Sequence, residues 1–279
     1  MDLPRLPRAG EEIKTDRFVR TIGGGPVITA VAAARLGTPT AIVSGLSAPA
    51  AAFLRRERIQ VDNLLRAGEP HAVTAALSTR RDRGFATFTG MHDTLGPRYR
   101  RALARRRARH VHLALCPRGC REWAAIVERL RKSGVSTSWD PGWDDRLARD
   151  REMATLALSV DYLFLNEKEA PLYARQPTLG AAIGHWRRHA RNAVIKLGRR
   201  GCRWVSRSLD LKAKAPRVRV VDTTGAGDAF NGGFLHALLR GALPRECLRV
   251  GNLVGALSTR AAGGVNGLPR KAAVQLRLR

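Results

Sequence analysis

Val218-Arg219-Val220-Val221-Asp222-Thr223-Thr224-Gly225-Ala226-Gly227-Asp228 is a strand-like run that passes through a glycine turn into an apolar helix, Ala229 to Leu239, with Gly241 as its expected C-cap. Strand, glycine turn and helix start make an anion site. The glycines let backbone N–H groups converge, and the helix N-terminus adds partial positive charge where phosphate charge develops. A carboxylate in the first turn is out of place in a pure phosphate cradle. Asp228 repels a phosphate unless its task is to take a proton from a nucleophile approaching that phosphate. Read only as an N-cap, it explains neither both glycines nor Asp222, Thr223 and Thr224.

Two common phosphate motifs fail here: no Gly-Lys-Ser/Thr follows the glycines, and Phe230 stands where a dinucleotide fingerprint has its third glycine. Working outward, short apolar runs alternate with longer amphipathic stretches from about Thr40 onward, as β-α units around a parallel sheet require. Strands are expected at Thr40 to Val43, His110 to Leu115, Val135 to Trp139, Tyr162 to Leu165 and Ala193 to Leu197, and helices at Val27 to Leu36 and Arg121 to Lys132. The expected class is α/β, with a doubly wound, mostly parallel sheet flanked by helices. Glu11 to Ile22 and His71 to Thr89 break the rhythm and read as β-hairpin material for a small sheet that covers a ligand. The turn of the second hairpin is Arg81-Asp82-Arg83-Gly84.

Asp222 to Asp228, followed by Ala229-Phe230-Asn231-Gly232-Gly233-Phe234, resembles the C-terminal signature of the PfkB family of carbohydrate kinases, which includes ribokinase and adenosine kinase relatives. The resemblance implies a ribokinase-like fold with a β lid, Asp228 as catalytic base, and Gly225, Ala226 and Gly227 as the anion hole for the transferred phosphoryl group. It also implies ATP and Mg²⁺. Asn166-Glu167-Lys168-Glu169 is similar to the family's Asn-x-x-Glu motif, so Asn166 and Glu169 are carried over to metal and phosphate; by themselves they read equally as a helix cap. Lys196-Leu197-Gly198 resembles the family's Lys-x-Gly near the nucleotide, and Lys196, Gly198, Thr223, Asn252 and Ala256 are the implied nucleotide contacts. Asp222 and Thr224 are the implied monovalent-cation residues, with K⁺ the cation. Gly23-Gly24-Gly25-Pro26, before an Ala-rich helix ending in Arg35-Leu36-Gly37, is similar to the substrate-side glycine motif, and Gly24 is carried over. The motifs stand in the family's order from Gly10 to Pro269.

Two departures bear on the acceptor. The family commonly has Asn five residues after the first glycine of its pair, where this chain, counted from Gly23, has Ile28. The family also opens with a central strand ending near an acidic residue, whereas this sequence reaches lid material directly after Met1-Asp2-Leu3-Pro4, with Asp2 or Asp16 as candidate replacements. Both affect acceptor recognition more than phosphoryl transfer. The implied function is ATP-dependent phosphorylation of a hydroxyl on a sugar or sugar-like molecule. The alternatives are a nucleoside kinase and a nucleotide-binding regulator with an incomplete substrate site.

Composition sets the remaining bounds. The 279 residues are 44% hydrophobic and 26% charged, too apolar for a disordered chain and consistent with one principal kinase domain, 1–279. The formal net charge of +27 comes from scattered arginines such as Arg105 to Arg107 and Arg187 to Arg188. With aromatics at 5% and no zinc-finger or RNA-recognition signature, no specific nucleic-acid role is expected, and the charge reads as an aid to attracting phosphorylated ligands. No apolar run approaches the ~20 residues of a membrane span, and Met1 to Gly10 lacks the core of a signal peptide, so no membrane partner and a cytoplasmic location are expected. Cys116, Cys120, Cys202 and Cys247 are too irregularly spaced for a disulfide framework and are expected to be free thiols. His110, His112, Cys116 and Cys120 read as core and loop rather than zinc ligands. Asp140-Pro141-Gly142-Trp143 reads as a turn at a strand end facing the cleft. Exposed lid strands make a homodimer through the lid the expected assembly.

Overall fold

The computed structural model describes residues 1–279 with the exception of 2, 4, 17, 80–82, 106 and 279. Asp2 and the Arg81-Asp82 turn therefore lie outside the described residues. The elements in the first half of the chain are α1 (Gly25–Arg35), β1 (Ala41–Ser44), α2 (Ala48–Arg56), β2 (Gln60–Asn63), β3 (Val73–Ser78), β4 (Arg83–Phe88), α3 (Gly96–Arg105), β5 (His110–Ala114), α4 (Cys120–Lys132) and β6 (Ser136–Asp140). The second half adds α5 (Asp145–Arg149), α6 (Met153–Ser159), β7 (Tyr162–Asn166), α7 (Glu169–Ala174), α8 (Leu179–His189), β8 (Ala193–Lys196), β9 (Cys202–Val205), β10 (Asp210–Ala213), α9 (Ala226–Leu239), α10 (Pro244–Ser258) and α11 (Lys271–Leu278).

The main sheet has six strands in the order β10-β9-β8-β7-β6-β5. Strands β5 to β8 run parallel, β9 is antiparallel to β8, and β10 is antiparallel to β9. The parallel strands carry apolar side chains on both faces, as a sheet covered on both sides must. On one face Leu113, Trp139, Leu163, Leu165 and Ile195 are buried with α4, α6, α7 and α8. On the other, Phe164, Val194 and Trp204 are buried with α1, α9 and α10. Each such side chain contributes about 1.5–3 kcal/mol by leaving water. This is the doubly wound architecture expected from the alternating pattern.

Helix α1 is buried from Val27 through Ala33, which suits a stretch without a charged residue before Arg35. It packs against α9, β1 and β5. The contact with α9 depends on Gly232, where an added Cβ would lie 2.6 Å from the Ala32 side chain and 2.7 Å from the Thr29 carbonyl oxygen. Gly233, one residue on, faces α10, where a Cβ would lie 2.8 Å from Val254. Adjacent glycines thus let α9 pass closely between its two neighbours.

Strands β1 and β2 form a separate parallel pair outside the six-stranded sheet. Strands β3 and β4 form an antiparallel ribbon, as the second hairpin reading requires, with Val73 opposite Phe88. Glu11 to Ile22, the other expected lid material, carries no strand among its described residues. Instead, the chain start lies along β3, where the Leu3 amide donates to the Ser78 carbonyl at 2.7 Å and the Ser78 amide to Met1 at 2.9 Å. Val218 to Val221 is also not a strand. The Val221 and Asp222 amides both donate to the Thr259 carbonyl, at 2.8 and 3.0 Å, which ties this run to the end of α10 and leaves both Val220 and Val221 largely exposed.

Candidate active site

The glycine turn before α9 is where the sheet, α1 and α9 converge. Gly225 is the N-cap of α9 and adopts φ 72°, a left-handed conformation that favours glycine. A Cβ there would also collide with the Ile28 side chain. The first helical turn presents amides without intrahelical acceptors, the partial positive end of α9. The Ala226 amide donates to Thr223 at 3.2 Å and closes the turn.

Asp228 lies in that first turn and remains partly accessible. Gly25, at the head of α1, faces it so closely that an added Cβ would lie 2.8 Å from Asp228 Oδ1. The Thr29 hydroxyl donates to the Asp228 carbonyl at 3.1 Å and fixes the two helices in register. The surrounding protein, followed by the negative charge of Asp140, pushes the Asp228 carboxyl up to about 7; Lys196 pulls the other way and Glu169 adds to the rise.

Beneath the turn lies a buried ion pair missed by the sequence reading. Lys196 Nζ donates to Asp140 Oδ2 at 2.6 Å, and Asn231 Nδ2 donates to the same oxygen at 2.6 Å. A Cβ on Gly227 would lie 3.3 Å from Lys196 Nζ, so the ammonium sits directly under the loop. Burial opposes charge on Asp140, but Lys196 and Asn231 outweigh it and hold the carboxyl below its usual range. Burial likewise opposes charge on Lys196, yet Asp140, Glu169 and Asp228 together raise its proton affinity. Asp140 also forms the expected turn, its Oδ1 accepting from the Gly142 amide at 3.1 Å. Alternation along β6 and β8 puts Asp140 and Lys196 at the carboxyl ends of their strands, a signal the sequence holds only once strand order is known.

The other expected residues have structural partners. Asn166 and Glu169 form a reciprocal cap: Asn166 Oδ1 accepts from the Glu169 amide and Glu169 Oε2 from the Asn166 amide, both at 2.8 Å. Burial raises the Glu169 carboxyl above the usual range, with Lys196 opposing. Mg²⁺ takes oxygen ligands, keeps several waters and is commonly held by one or two carboxylates plus phosphates. Glu169 keeps one carboxylate oxygen outside its cap, while Asn166 Oδ1 already accepts from both the Lys168 and Glu169 amides, so Glu169 offers the oxygen for a water-mediated cation and Asn166 fixes its place. Asp222 Oδ1 accepts from the Thr224 amide at 2.8 Å and Oδ2 from the Gly263 amide at 2.9 Å, joining the glycine turn to the loop after α10. Asn252 Nδ2 donates to Ala213 and Lys214 carbonyls, at 3.1 and 3.3 Å, and so secures the chain leaving β10. Ala256 is half-buried on α10 and Thr223 is exposed in the turn. Gly198, with φ 57°, begins the turn between β8 and β9. Gly24, at φ 97°, opens α1 with free space around it.

Ile28 is 3% exposed and wedged between Gly225 and Gly264, where an added Cβ on the latter would lie 2.5 Å from Ile28 Cδ1. It is therefore a packing residue of the turn. Asp16 is exposed. The histidines His110 and His112 hydrogen-bond the Ser136 and Ser138 hydroxyls, each at 2.8 Å, and Cys116 lies 2.7 Å from the Pro141 carbonyl. All four cysteines are free. Among the described residues no helix is long and apolar enough to cross a membrane.

Comparison with known proteins bears on the family and the fold. An uncharacterized sugar kinase of Archaeoglobus fulgidus is 28% identical over 245 residues, covering 85% of this chain and 97% of that protein. Ribokinase of Bacillus subtilis is 28% identical over 285 residues, covering 97% of this chain and 92% of that one. The solved adenosine kinase of Sinorhizobium meliloti superposes with a TM-score of 0.81 at 22% identity, over 92% of this chain and 83% of its own, and shares the fold. The pfkB family carbohydrate kinase profile matches residues 1–271, and the chain belongs to that family.

Proposed function

We propose that the chain transfers the γ-phosphoryl group of Mg-ATP to a hydroxyl of a sugar or sugar-like molecule, with Asp228 as the general base, in one kinase domain covered by the β3–β4 lid. The observation that carries this reading is the placement of the Asp228 carboxyl in the first turn of α9, directly after the Gly225-Ala226-Gly227 turn and against Gly25, where burial pushes it up to about 7. A base of that affinity is matched to proton abstraction near neutral pH. Asp228 takes the hydroxyl proton as the acceptor oxygen bonds to the γ-phosphorus and the bond to the β–γ bridging oxygen breaks, releasing ADP. With the Ala226 amide taken by the Thr223 carbonyl, the open amides at the start of α9 face the developing phosphoryl charge, and Lys196 adds positive charge from below. Bound Mg²⁺ would neutralise charge on the phosphates, with Asn166 and Glu169 the residues to hold it. The nucleotide would lie along Thr223, Gly198, Asn252 and Ala256, with the acceptor beside Gly24. Asp222 and Thr224 are the residues for a K⁺ requirement, tested by turnover with and without that ion.

A nucleoside acceptor is the second reading. Ile28 takes the polar contact expected for a sugar hydroxyl out of the pocket, and a relative of the same fold is an adenosine kinase. Acceptor-dependent ADP release across sugars and nucleosides separates the two, while ATP binding without transfer to any acceptor would support a regulator instead. The lid exposes Val73, Phe85 and Phe88, which supports a homodimer formed through it; light scattering at varied concentration tests the assembly.

A further inference from the structure

We propose that Asp140 is a positioning residue for phosphoryl transfer: it holds the Lys196 ammonium beneath Gly227 and away from Asp228, so that the base keeps its affinity for the acceptor's proton. The inference rests on the kinase reading above and assigns a role that the reading alone does not require.

Three carboxylates, Asp140, Glu169 and Asp228, surround one ammonium at the floor of the cleft. Lys196 is committed to one of them, at 2.6 Å from Asp140, and among the described residues no ion pair joins it to Asp228. The commitment is built from several sides. Asp140 is 8% exposed, and Asn231, one helical turn beyond Asp228, is fully buried and donates to Asp140 Oδ2 at 2.6 Å while its own Oδ1 lies 3.4 Å from Lys196 Nζ. A turn at Pro141-Gly142 needs only Oδ1, which takes the Gly142 amide. The second oxygen is therefore available for Lys196 and Asn231.

The consequence is electrostatic. An opposite charge within about 4–6 Å lowers a carboxyl pKa by roughly one to three units, so the proton affinity of Asp228 depends on where the ammonium sits. The charged and titratable groups facing this cluster are His112 from β5, Cys116 from the loop after β5, Asp140 from β6, Glu169 and Tyr173 from α7, Lys196 from β8 and Asp228 itself from α9; burial pushes the Cys116 thiol up to about 12 and raises the Tyr173 hydroxyl, so both stay neutral. Helix α1 contributes only the uncharged turn at Gly25. Burial pushes His112 down to about 4, so it stays neutral across the working range. Removing the Asp140 charge releases Lys196 to its remaining partners and takes a like charge away from Asp228, and both effects lower the affinity of the base.

The test is the pH dependence of kcat/KM, paired with a carbon-13 NMR titration of the Asp228 carboxyl, in the wild-type protein and Asp140→Asn. The expected result is an acidic limb and a carboxyl titration that both move down by about one unit or more. Adding Lys196→Met should return them to the wild-type position or above. An unmoved titration in Asp140→Asn, or the same downward shift in the double variant, would overturn the positioning role. The double variant buries no unpaired charge from the pair and serves if Asp140→Asn folds poorly. Because the NMR titration needs no turnover, a wild-type protein without acceptor-dependent activity would count against the kinase reading separately.

Discussion

At the scale of single residues, the chemistry concentrates in the distance between Gly25 and Asp228. Gly25 is not in a left-handed conformation, so its need for hydrogen is steric, and the group it spares is the proposed base. Gly25→Ala should move the carboxylate and cut kcat by about tenfold or more, with a smaller change in ATP affinity, since near-attack geometry tolerates little displacement. Fluorescent-nucleotide titration beside steady-state kinetics checks that split. Asp228 has a folded pKa of about 7 against an ordinary 3.8, so the folded state binds the proton more tightly and stability is lost as pH rises through that interval. Asp228→Asn should therefore raise the melting temperature at pH 8 by a few degrees while cutting turnover by about 10²–10⁴-fold. Calorimetry at pH 4 and pH 8 reads this, with the gain confined to the higher pH. Asp228 and the glycine turn before it were legible in the sequence because they occupy one short segment. The Asp140–Lys196 pair was not, since it joins β6 to β8 across β7, and linear order does not disclose sheet neighbours.

At the scale of elements, α1, α9 and α10 form a stack held by small residues, and this stack carries Gly25 to Asp228. Gly232→Ala would drive a methyl into the Thr29 carbonyl and the Ala32 side chain, and overpacking of this kind costs about 1–3 kcal/mol. Chemical denaturation should show that loss. A second fastening lies at the far end of α1, where Arg35 pairs with Glu57 at 2.5 Å and donates to the Val265 and Leu268 carbonyls, both at 3.0 Å. Glu57 is lowered chiefly by its hydrogen bond from Arg35, so it stays charged in the fold. Arg35→Met would leave it largely uncompensated, at a cost of about 3 kcal/mol measurable by the same denaturation. The strands β1 and β5 to β8 and the helices α1, α4 and α9 were readable because short apolar runs alternate there with longer helix-forming stretches, each bounded by turn residues. Val218 to Val221 has the composition of a strand but finds the Thr259 carbonyl instead of a strand partner, a tertiary choice that composition does not carry. Glu11 to Ile22 misled for a similar reason, since the Met1 and Leu3 backbone takes the edge of β3 at Ser78.

At the scale of the whole molecule, 50 basic residues against 23 acidic ones give a surface field that attracts polyanions such as nucleotides. The Michaelis constant for ATP should accordingly rise severalfold between about 0.05 and 0.3 M salt, while kcat changes little, because the Asp140–Lys196 pair is buried and screened less than the surface. The family was legible from a few local motifs, whereas the acceptor was not. Acceptor choice depends on side chains gathered from distant parts of the chain, and no short motif carries them. The most direct measurement of the central claim is acceptor-dependent ADP release from Mg-ATP across a panel of sugars and nucleosides, by the wild-type protein and Asp228→Asn. The account predicts release with at least one hydroxylated acceptor that is lost in the variant while ATP binding persists; equal release by both proteins would contradict Asp228 as the base.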